Sequence, residues 1–408
     1  MSLLRVLIST QQQQPFYCQA PLATPSEDTQ GMTLKFVQIL IRHGDRTPLY
    51  RPPTGQFATW NCSLATFMNP SHNDVEAIPP ASRQFRKVYL PGRNFFPGNC
   101  SLGQLTDLGF AQHSQLGTTF RQLYVQKYGL LSEHLNLSEV WVRSTDVYRT
   151  VQSAQSELTA LYPPPPNAAS MIDVIDIHTM DDYHENMSPN TVLCPALNTL
   201  YNNLTSLPVY QQFIQQNAQL QQTIMSTLGE PNFPGWSSFM DYFFALQCHG
   251  FPLPDGITDD LVQQVYEASF FTESYPFGSE SYSRLAMSSF LQEVVQNIEN
   301  FLSGASPLKY VLFSGHDDSV GPFVNLFGLY KIWPAYASHV EMEIWQDNTG
   351  DYYLQFKYNG ESYTLPTCNG VMCPIQTFLD LSYSLMVPDY IDDEVINESR
   401  PTDGKLRV

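Results

Sequence analysis

The sequence predicts an α/β protein: a mixed, mostly parallel sheet with helices on both faces, joined to a smaller helical domain. Two observations predict it. Apolar runs of strand length alternate with amphipathic helical patterns along most of the chain, an order that layers helices over a sheet. One interval, residues 182–281, breaks that order; it is Gln-rich, aromatic and helical in pattern, with no convincing strand. At 408 residues the chain has room for roughly two to three domains, or one large domain carrying an insertion. The expected division is an irregular arm over 1–30 with Pro15, Pro21 and Pro25, an α/β domain over 31–181 and 282–408, and the helical insertion over 182–281.

Thr33 to Ile41 reads as a strand buried on both sides, and Val140 to Val142 as a short second one. Met171 to Ile177 is a third candidate and Lys309 to Phe313 a fourth. Val340–Trp345 and Tyr352–Tyr358 alternate apolar and polar residues around Asn348-Thr-Gly350, a hairpin signal. Thr106-Asp-Leu opens a helix that carries Leu116, Phe120 and Leu123 on its apolar side. Thr145 to Leu161 forms another, stopped by the prolines that follow. Met287, Phe290, Leu291, Val294, Val295, Ile298 and Phe301 mark the clearest amphipathic helix of the chain. Residues 51–103 are irregular, rich in Pro and Gly.

Composition narrows the partners. Lys and Arg total 20 against 39 Asp and Glu, a net charge of −19. So few cations argue against nucleic acid or an anionic membrane as the main partner. No run reaches the ~18 apolar residues of a membrane helix. An anionic substrate therefore requires a few arginines to overcome the global field locally.

The ends of the strands supply them. Open α/β sheets bind ligands at the carboxyl ends of their strands. Arg42-His43-Gly44-Asp45-Arg46-Thr47-Pro48 follows the first strand, Arg143-Ser144-Thr145-Asp146 the second, and Ser314-Gly315-His316-Asp317-Asp318 the fourth. Arginine forks suit the tetrahedral oxygens of phosphate. A histidine beside them can be nucleophile or base, and an aspartate an acid. Taken singly, Arg143 is more often a strand-end charge, and His316 a structural histidine. The pattern Arg42-His43-Gly44-x-Arg46-x-Pro48 directly after an apolar strand is far more specific.

With Gly103-Gln-Leu-Thr-Asp-Leu-Gly109, Val142-Arg-Ser-Thr-Asp146, Arg149-Thr150, Ile177-His-Thr179 and Gly315-His-Asp-Asp-Ser-Val320, this pattern resembles the histidine acid phosphatases, branch two of the histidine phosphatase superfamily. The lysosomal and prostatic type is the most similar. The resemblance runs from about Thr33 to Phe378 and implies a phosphoglycerate-mutase-like fold with a smaller α domain. It implies His43 as the nucleophile that becomes phosphohistidine and Asp317 as proton donor to the leaving alcohol. It implies Arg42, Arg46, Arg143 and His316 as the phosphate-binding set, small phosphate monoesters as substrates, and neither metal nor organic cofactor. Nearby guanidinium groups should lower the pKa of His43 and keep it neutral at acid pH, while Asp317 must be protonated to donate. Phytase-like and lysophosphatidate activities stay open within the family. The scarcity of Lys lowers the first. A homodimer also stays open.

Two features depart from that pattern. Asp318 places a second carboxylate beside the donor, which can raise one pKa of the pair. Two later cysteines that mammalian members pair with residues resembling Cys194 and Cys248 are missing. The resemblance then gives Cys194–Cys248, Cys368–Cys373 and Cys62–Cys100, with Cys18 left over.

Seven cysteines and six Asn-x-Ser/Thr sites, at Asn61, Asn99, Asn136, Asn186, Asn203 and Asn397, favour the secretory pathway, secreted or lysosomal. A signal peptide is not evident: the apolar stretch to Ile8 is broken by Arg5 and followed by Gln11 to Gln14, so the start reads as truncated or replaced. Two rivals remain. His178-Thr-Met-Asp-Asp-Tyr-His184-Glu185 has the residue types of a metal site, although a polar loop explains it better. A non-catalytic glycoprotein keeping the fold is the other.

Overall fold

The computed structural model describes residues 16–54, 57–68, 85–90, 96–164 and 174–387. Ten strands appear in these: β1 (Thr33–Arg42), β2 (Phe67–Met68), β3 (Phe85–Arg86), β4 (Val140–Ser144), β5 (Ile177–His178), β6 (Tyr310–Gly315), β7 (His339–Gln346), β8 (Tyr352–Tyr358), β9 (Glu361–Tyr363) and β10 (Met372–Pro374). Their helices are α1 (Asp107–Phe120), α2 (Tyr148–Leu161), α3 (Pro195–Thr205), α4 (Pro208–Gln216), α5 (Ala218–Leu228), α6 (Trp236–Cys248), α7 (Asp259–Phe277), α8 (Glu280–Leu302), α9 (Asp317–Asn325) and α10 (Ile375–Leu385).

The main sheet is mixed, in the order β10-β8-β7-β1-β6-β4-β5, with β9 paired to β8. Strands β1, β6, β4 and β5 run parallel, and the β7–β10 side is antiparallel. Side chains of β1 alternate between two cores, as strand geometry requires. Val37, Ile39 and Ile41 pack with Leu116, Phe120 and Leu158 of α1 and α2. Phe36 and Leu40 pack with Phe290, Leu291 and Val294 of α8 and Phe323 of α9. Helices therefore cover both faces, which is why β1 is apolar on both sides at residues 36–37 and 39–41, while the buried Gln38 amide donates to the Val294 carbonyl.

Two glycines let α1 approach its neighbours closely, Gly117 against α2 and Gly109 against the loop after β1. A Cβ on Gly117 would lie 2.1 Å from the Glu157 carbonyl, and one on Gly109 2.2 Å from the Asp45 carbonyl. Thr106 caps α1, its hydroxyl accepting the Gly109 N–H at 3.1 Å. The expected hairpin is β7–β8, with Gly350 at φ +97°. Its polar face is not solvated. His339, Glu341, Glu343, Gln355 and Lys357 are all buried, beneath Tyr124 and the chain around Thr24–Glu27.

A further core holds α5, α6 and α7, together with Tyr17, Trp60, Phe96, Trp333 and Tyr336. No strand interrupts 182–281. The strand expected over 171–177 is present only as Ile177–His178; 171–173, the first 15 residues and Asn397 lie outside the described residues.

The cysteine pairing differs from expectation. The disulfides are Cys18–Cys248, Cys62–Cys100 and Cys368–Cys373. Cys194 does not reach Cys248 because it is buried in the α8 core, whereas Cys248 belongs to the α6 core. The irregular arm runs past the end of α6 instead and brings Cys18 to a Cα separation of 5.3 Å. Another expectation changes with burial: Asn186 is 8% exposed and its amide donates to Ser289 and Glu293. A glycan cannot be attached there without opening the core.

Candidate active site

The parallel strands end in register. Arg42 of β1 pairs with Gly315 of β6, and Ser144 of β4 with Ser314 of β6. The residues that follow therefore emerge side by side. The His43 N–H donates to the Gly315 carbonyl at 3.0 Å and the Thr145 N–H to the Ser314 carbonyl at 3.1 Å.

His43 is 1% exposed and its ring centroid is 5.5 Å from that of His316. Its Nδ1 lies 2.7 Å from the Gly44 carbonyl. A carbonyl oxygen only accepts, so Nδ1 carries the proton and Nε2 keeps its lone pair. Burial, then Arg149, Arg42, Arg46 and His316, push the His43 pKa well below the usual histidine range. The ring thus resists protonation at pH values where an ordinary histidine is charged. Gly44 turns the chain tightly beneath α1: a Cβ on it would stand 2.5 Å from the Gly109 carbonyl.

Arg42 is buried between the rings of Tyr17 and Tyr336, 5.0 and 4.5 Å from their centroids. Its Nη2 is 2.7 Å from Asp317 Oδ2 and 2.9 Å from the Tyr17 hydroxyl; its Nη1 donates to the Pro334 carbonyl. Arg46 Nη1 is 2.7 Å from Asp241 of α6, whose second oxygen accepts the Leu49 N–H at 2.7 Å. Helix α6 thereby holds the loop after β1. Asp45 points the other way, accepting from Thr106 and lying 2.6 Å from His249 Nε2.

The third arginine at the site is Arg149, in the first turn of α2, and not Arg143. Arg149 Nη2 is 3.4 Å from His316 Nδ1. Arg143 is buried on β4 and spans Glu185, at 2.8 Å, and Glu293. It is a compensated ion-pair group. Arg149 has its Nε buried without an acceptor among the described residues, as do Arg42, Arg46 and Arg143. Three such donors around one imidazole, on arginines that face one another, form a cradle for an anion.

His316 accepts from Arg149 at Nδ1, so its Nε2–H donates to Thr145 Oγ1 at 2.9 Å. Burial and Arg149 outweigh Asp317 and hold its pKa to about 3. It is a neutral hydrogen-bond donor, not a cation. Asp317 opens α9; Trp333 Nε1 donates to its Oδ2 at 2.9 Å. Burial raises its pKa, but Arg42 and Arg46 outweigh this and hold it at about 2. Asp318, by contrast, is raised to about 6 by burial and by Asp317, and accepts from Ser188 at 3.1 Å.

The residues of the rival metal reading disperse. His178 stacks on Trp141 and lies 2.9 Å from the Val142 carbonyl, His184 is exposed, and Glu185 is on Arg143. Sequence reasoning missed Arg149, Tyr17, Asp241 and Trp333 as parts of this site. Only Arg149 stood within a recognised motif.

Neutral imidazole, converging arginines and a neighbouring carboxylate define the class: a phosphatase. A model of the histidine phosphatase superfamily (branch 2) matches residues 33–359, and the chain belongs to that family. It is 57% identical over 385 residues to counting factor 60 of Dictyostelium discoideum, covering 93% of this chain and 92% of that one. It is 28% identical to the lysosomal acid phosphatase of Bos taurus, over 90% of this chain and 81% of that one. The fold is that of the Hafnia alvei phytase in complex with tartrate, with a TM-score of 0.62 at 16% identity, over 88% of this chain and 98% of that one.

Proposed function

We propose that the protein hydrolyses phosphate monoesters at acid pH through a phosphohistidine on His43. Arg42, Arg46, Arg149 and His316 bind the phosphoryl oxygens. His43 Nε2 attacks phosphorus, the ester P–O bond breaks, and Asp317 gives its proton to the departing alkoxide. Water then attacks the phosphohistidine, returning a proton to Asp317 as the P–N bond breaks and phosphate leaves. The observation that carries this reading is the neutral His43, its lone pair fixed by the Gly44 carbonyl amid three arginines with unpartnered Nε–H groups.

The free site holds Asp317 ionised, because Arg42 and Arg46 act on it. A bound phosphate neutralises those arginines and lifts the Asp317 pKa, so the donor is loaded by substrate. At acid pH a monoanionic ester also brings a proton of its own. Small monoesters suit the pocket better than inositol polyphosphates, since the chain has only 20 Lys and Arg to offset extra phosphates.

Three disulfides and the exposed Asn61 and Asn203 support a secreted or lysosomal glycoprotein. The experiment is acid-avoiding rapid quench with a labelled monoester. Wild type should trap one alkali-stable phosphoryl group on His43, and His43→Ala should trap none and lose turnover. Turnover above a few per cent in His43→Ala would overturn the nucleophile. Absence of any turnover in wild type across monoesters at about pH 4–7, the range where a neutral His43 is unusual, would favour a non-catalytic role.

A further inference from the structure

We infer that Tyr17 is a positioning residue for the phosphate-binding Arg42, and that the Cys18–Cys248 disulfide is the strap that keeps it there. The inference rests on the phosphatase reading above.

Tyr17 comes from a short 3-10 turn, Phe16–Cys18, and the described part of the arm has no strand or α-helix to place it. Yet it is 1% exposed and its hydroxyl meets Arg42 Nη2 at 2.9 Å. That nitrogen has two hydrogens. One goes to Asp317 and the other to Tyr17. Nη1 is used by the Pro334 carbonyl. Tyr17 thus completes the partners of Nη2 and leaves Nε buried and without an acceptor among the described residues. An arginine so held keeps its Nε–H and the second hydrogen of Nη1 for phosphate, already oriented. Without the Tyr17 hydroxyl, Nη2 has a spare hydrogen and the guanidinium can rotate toward Asp317. Burial raises the Tyr17 pKa, so the phenol stays neutral at working pH.

What holds Tyr17 is local and covalent. Its ring packs on Phe244 and Tyr336 at 4.7 and 5.0 Å. Its carbonyl accepts the Tyr336 N–H at 3.1 Å, and Ala20 N–H donates to the Tyr336 carbonyl at 2.8 Å. Gln112 donates to the Cys18 carbonyl at 2.7 Å. The next residue, Cys18, is bonded to Cys248 at the end of α6, a sequence separation of 230. The same helix carries Asp241 on Arg46. One disulfide therefore fixes the arm on Arg42 relative to the helix that fixes Arg46. Opening it takes two equivalents of thiol: the first forms a mixed disulfide with one cysteine and frees the other, and the second displaces it, leaving Cys18 and Cys248 reduced and the reagent as its own disulfide.

The test compares Tyr17→Phe, Cys18→Ala/Cys248→Ala, and the triple variant, all against folded wild type. Expected is a loss of about tenfold in kcat/KM for Tyr17→Phe, the worth of one hydrogen bond to a charged group. Calorimetric affinity for inorganic phosphate should weaken similarly, a readout independent of turnover. Asp317 shares Arg42, so the acid limb of the pH profile should also move. The cysteine variant should lose a comparable factor, and the triple variant no more than either, because both changes release one contact. A Tyr17→Phe protein within twofold of wild type in both rate and phosphate affinity overturns the positioning role. Losses that multiply in the triple variant overturn the strap. Should the cysteine variant not fold, mild reduction of wild type, with the opened disulfide assigned by mass spectrometry, supplies the same comparison. Failure of the phosphatase reading is separate: it shows as wild type without phosphoenzyme.

Discussion

Two clusters of buried charge sit on the same sheet, and they handle their hydrogen bonds differently. The cluster on the β7–β8 face meets most of its needs from within, although Glu341 Oε1 and His339 Nε2 only face each other at 3.5 Å. Lys357 lies 2.9 Å from Glu341 and 3.7 Å from Glu343; Tyr124 is 2.8 and 3.0 Å from the same two acids, and Trp345 donates to Glu343 at 3.0 Å. Ser26 of the arm donates to Glu343 as well. The cluster at the carboxyl ends of β1 and β6 does not close. Arg42, Arg46 and Arg149 each keep a buried Nε–H without an acceptor. The difference teaches which buried charges serve the fold and which await a ligand. A network whose charges pair with one another specifies packing, whereas several open donors gathered around one imidazole are costly unless something outside the chain meets them; the single open Nε of the ion-paired Arg143 is not such a cluster.

The largest effect that sharpens this contrast is expected at Asp317. Asp317→Asn should slow hydrolysis of an alkyl phosphate by roughly 10²–10⁴-fold, the usual worth of acid catalysis. Phosphoenzyme formation from an activated aryl phosphate should suffer much less, because that leaving group needs no proton. Equal losses in rapid-quench measurements would assign Asp317 to holding Arg42 instead, leaving Asp318 as the next acid to test. Arg149 and Arg143 come next. Arg149→Ala should cost about 30- to 1000-fold in kcat/KM, the range for one charge-assisted contact in a closed site. Arg143→Ala should act mainly on melting temperature, since it strands Glu185 and Glu293. A larger kinetic loss at Arg143 than at Arg149 would reverse the assignment.

The other cluster should answer in stability alone. Lys357→Met leaves two buried acids with their cation removed, and should cost about 3–5 kcal/mol in denaturant unfolding. The folded fraction should keep its kcat/KM. A third buried acid gives a pH signature. Glu157, which accepts from Tyr310, is raised to about 8 by burial from an ordinary 4.5. Its folded-state pKa lies above its unfolded one, so the unfolded state releases the proton first. Its contribution is fully present below about 4.5 and is lost as pH rises through 8. Glu157→Gln should flatten that decline in melting temperature between those limits. An unchanged profile would place the acid in water.

Much of this was written in local pattern. The β1 run is mostly apolar on both faces because both are covered, and the 3.6-residue spacing from Met287 to Ile298 marks a helix that packs on one of them. The loop motif after β1 and the His316-Asp317 pair were legible because each abuts a strand end. Arg143 and Arg149 were not separable by the same logic. Six positions apart, both are near the strand end, and only the pleat of β4 and the start of α2 decide which guanidinium turns to His43. The polar residues of β7 and β8 alternate as for a solvated face, and no local signal says that Tyr124 and the arm cover them. Tyr17 and the Cys18 partner were illegible for the same reason. They depend on a path taken by irregular chain across distant helices.

The contact between Gly44 and Gly109 bears on how this protein can change. Neither position tolerates even one added carbon, since each Cβ would fall within 2.5 Å of the other loop's backbone. Altering one does not help, because the obstacle is main chain and not a side chain that a second substitution can trim. Selection for new substrates is therefore closed off at these glycines and left to exposed side chains near Arg149: Leu49, 52% exposed, which with Arg149 flanks Gly103, and the adjoining Tyr148, 83% exposed. A library that randomises those two positions should recover active variants with altered leaving-group preference, while one that randomises the glycines should recover only glycine.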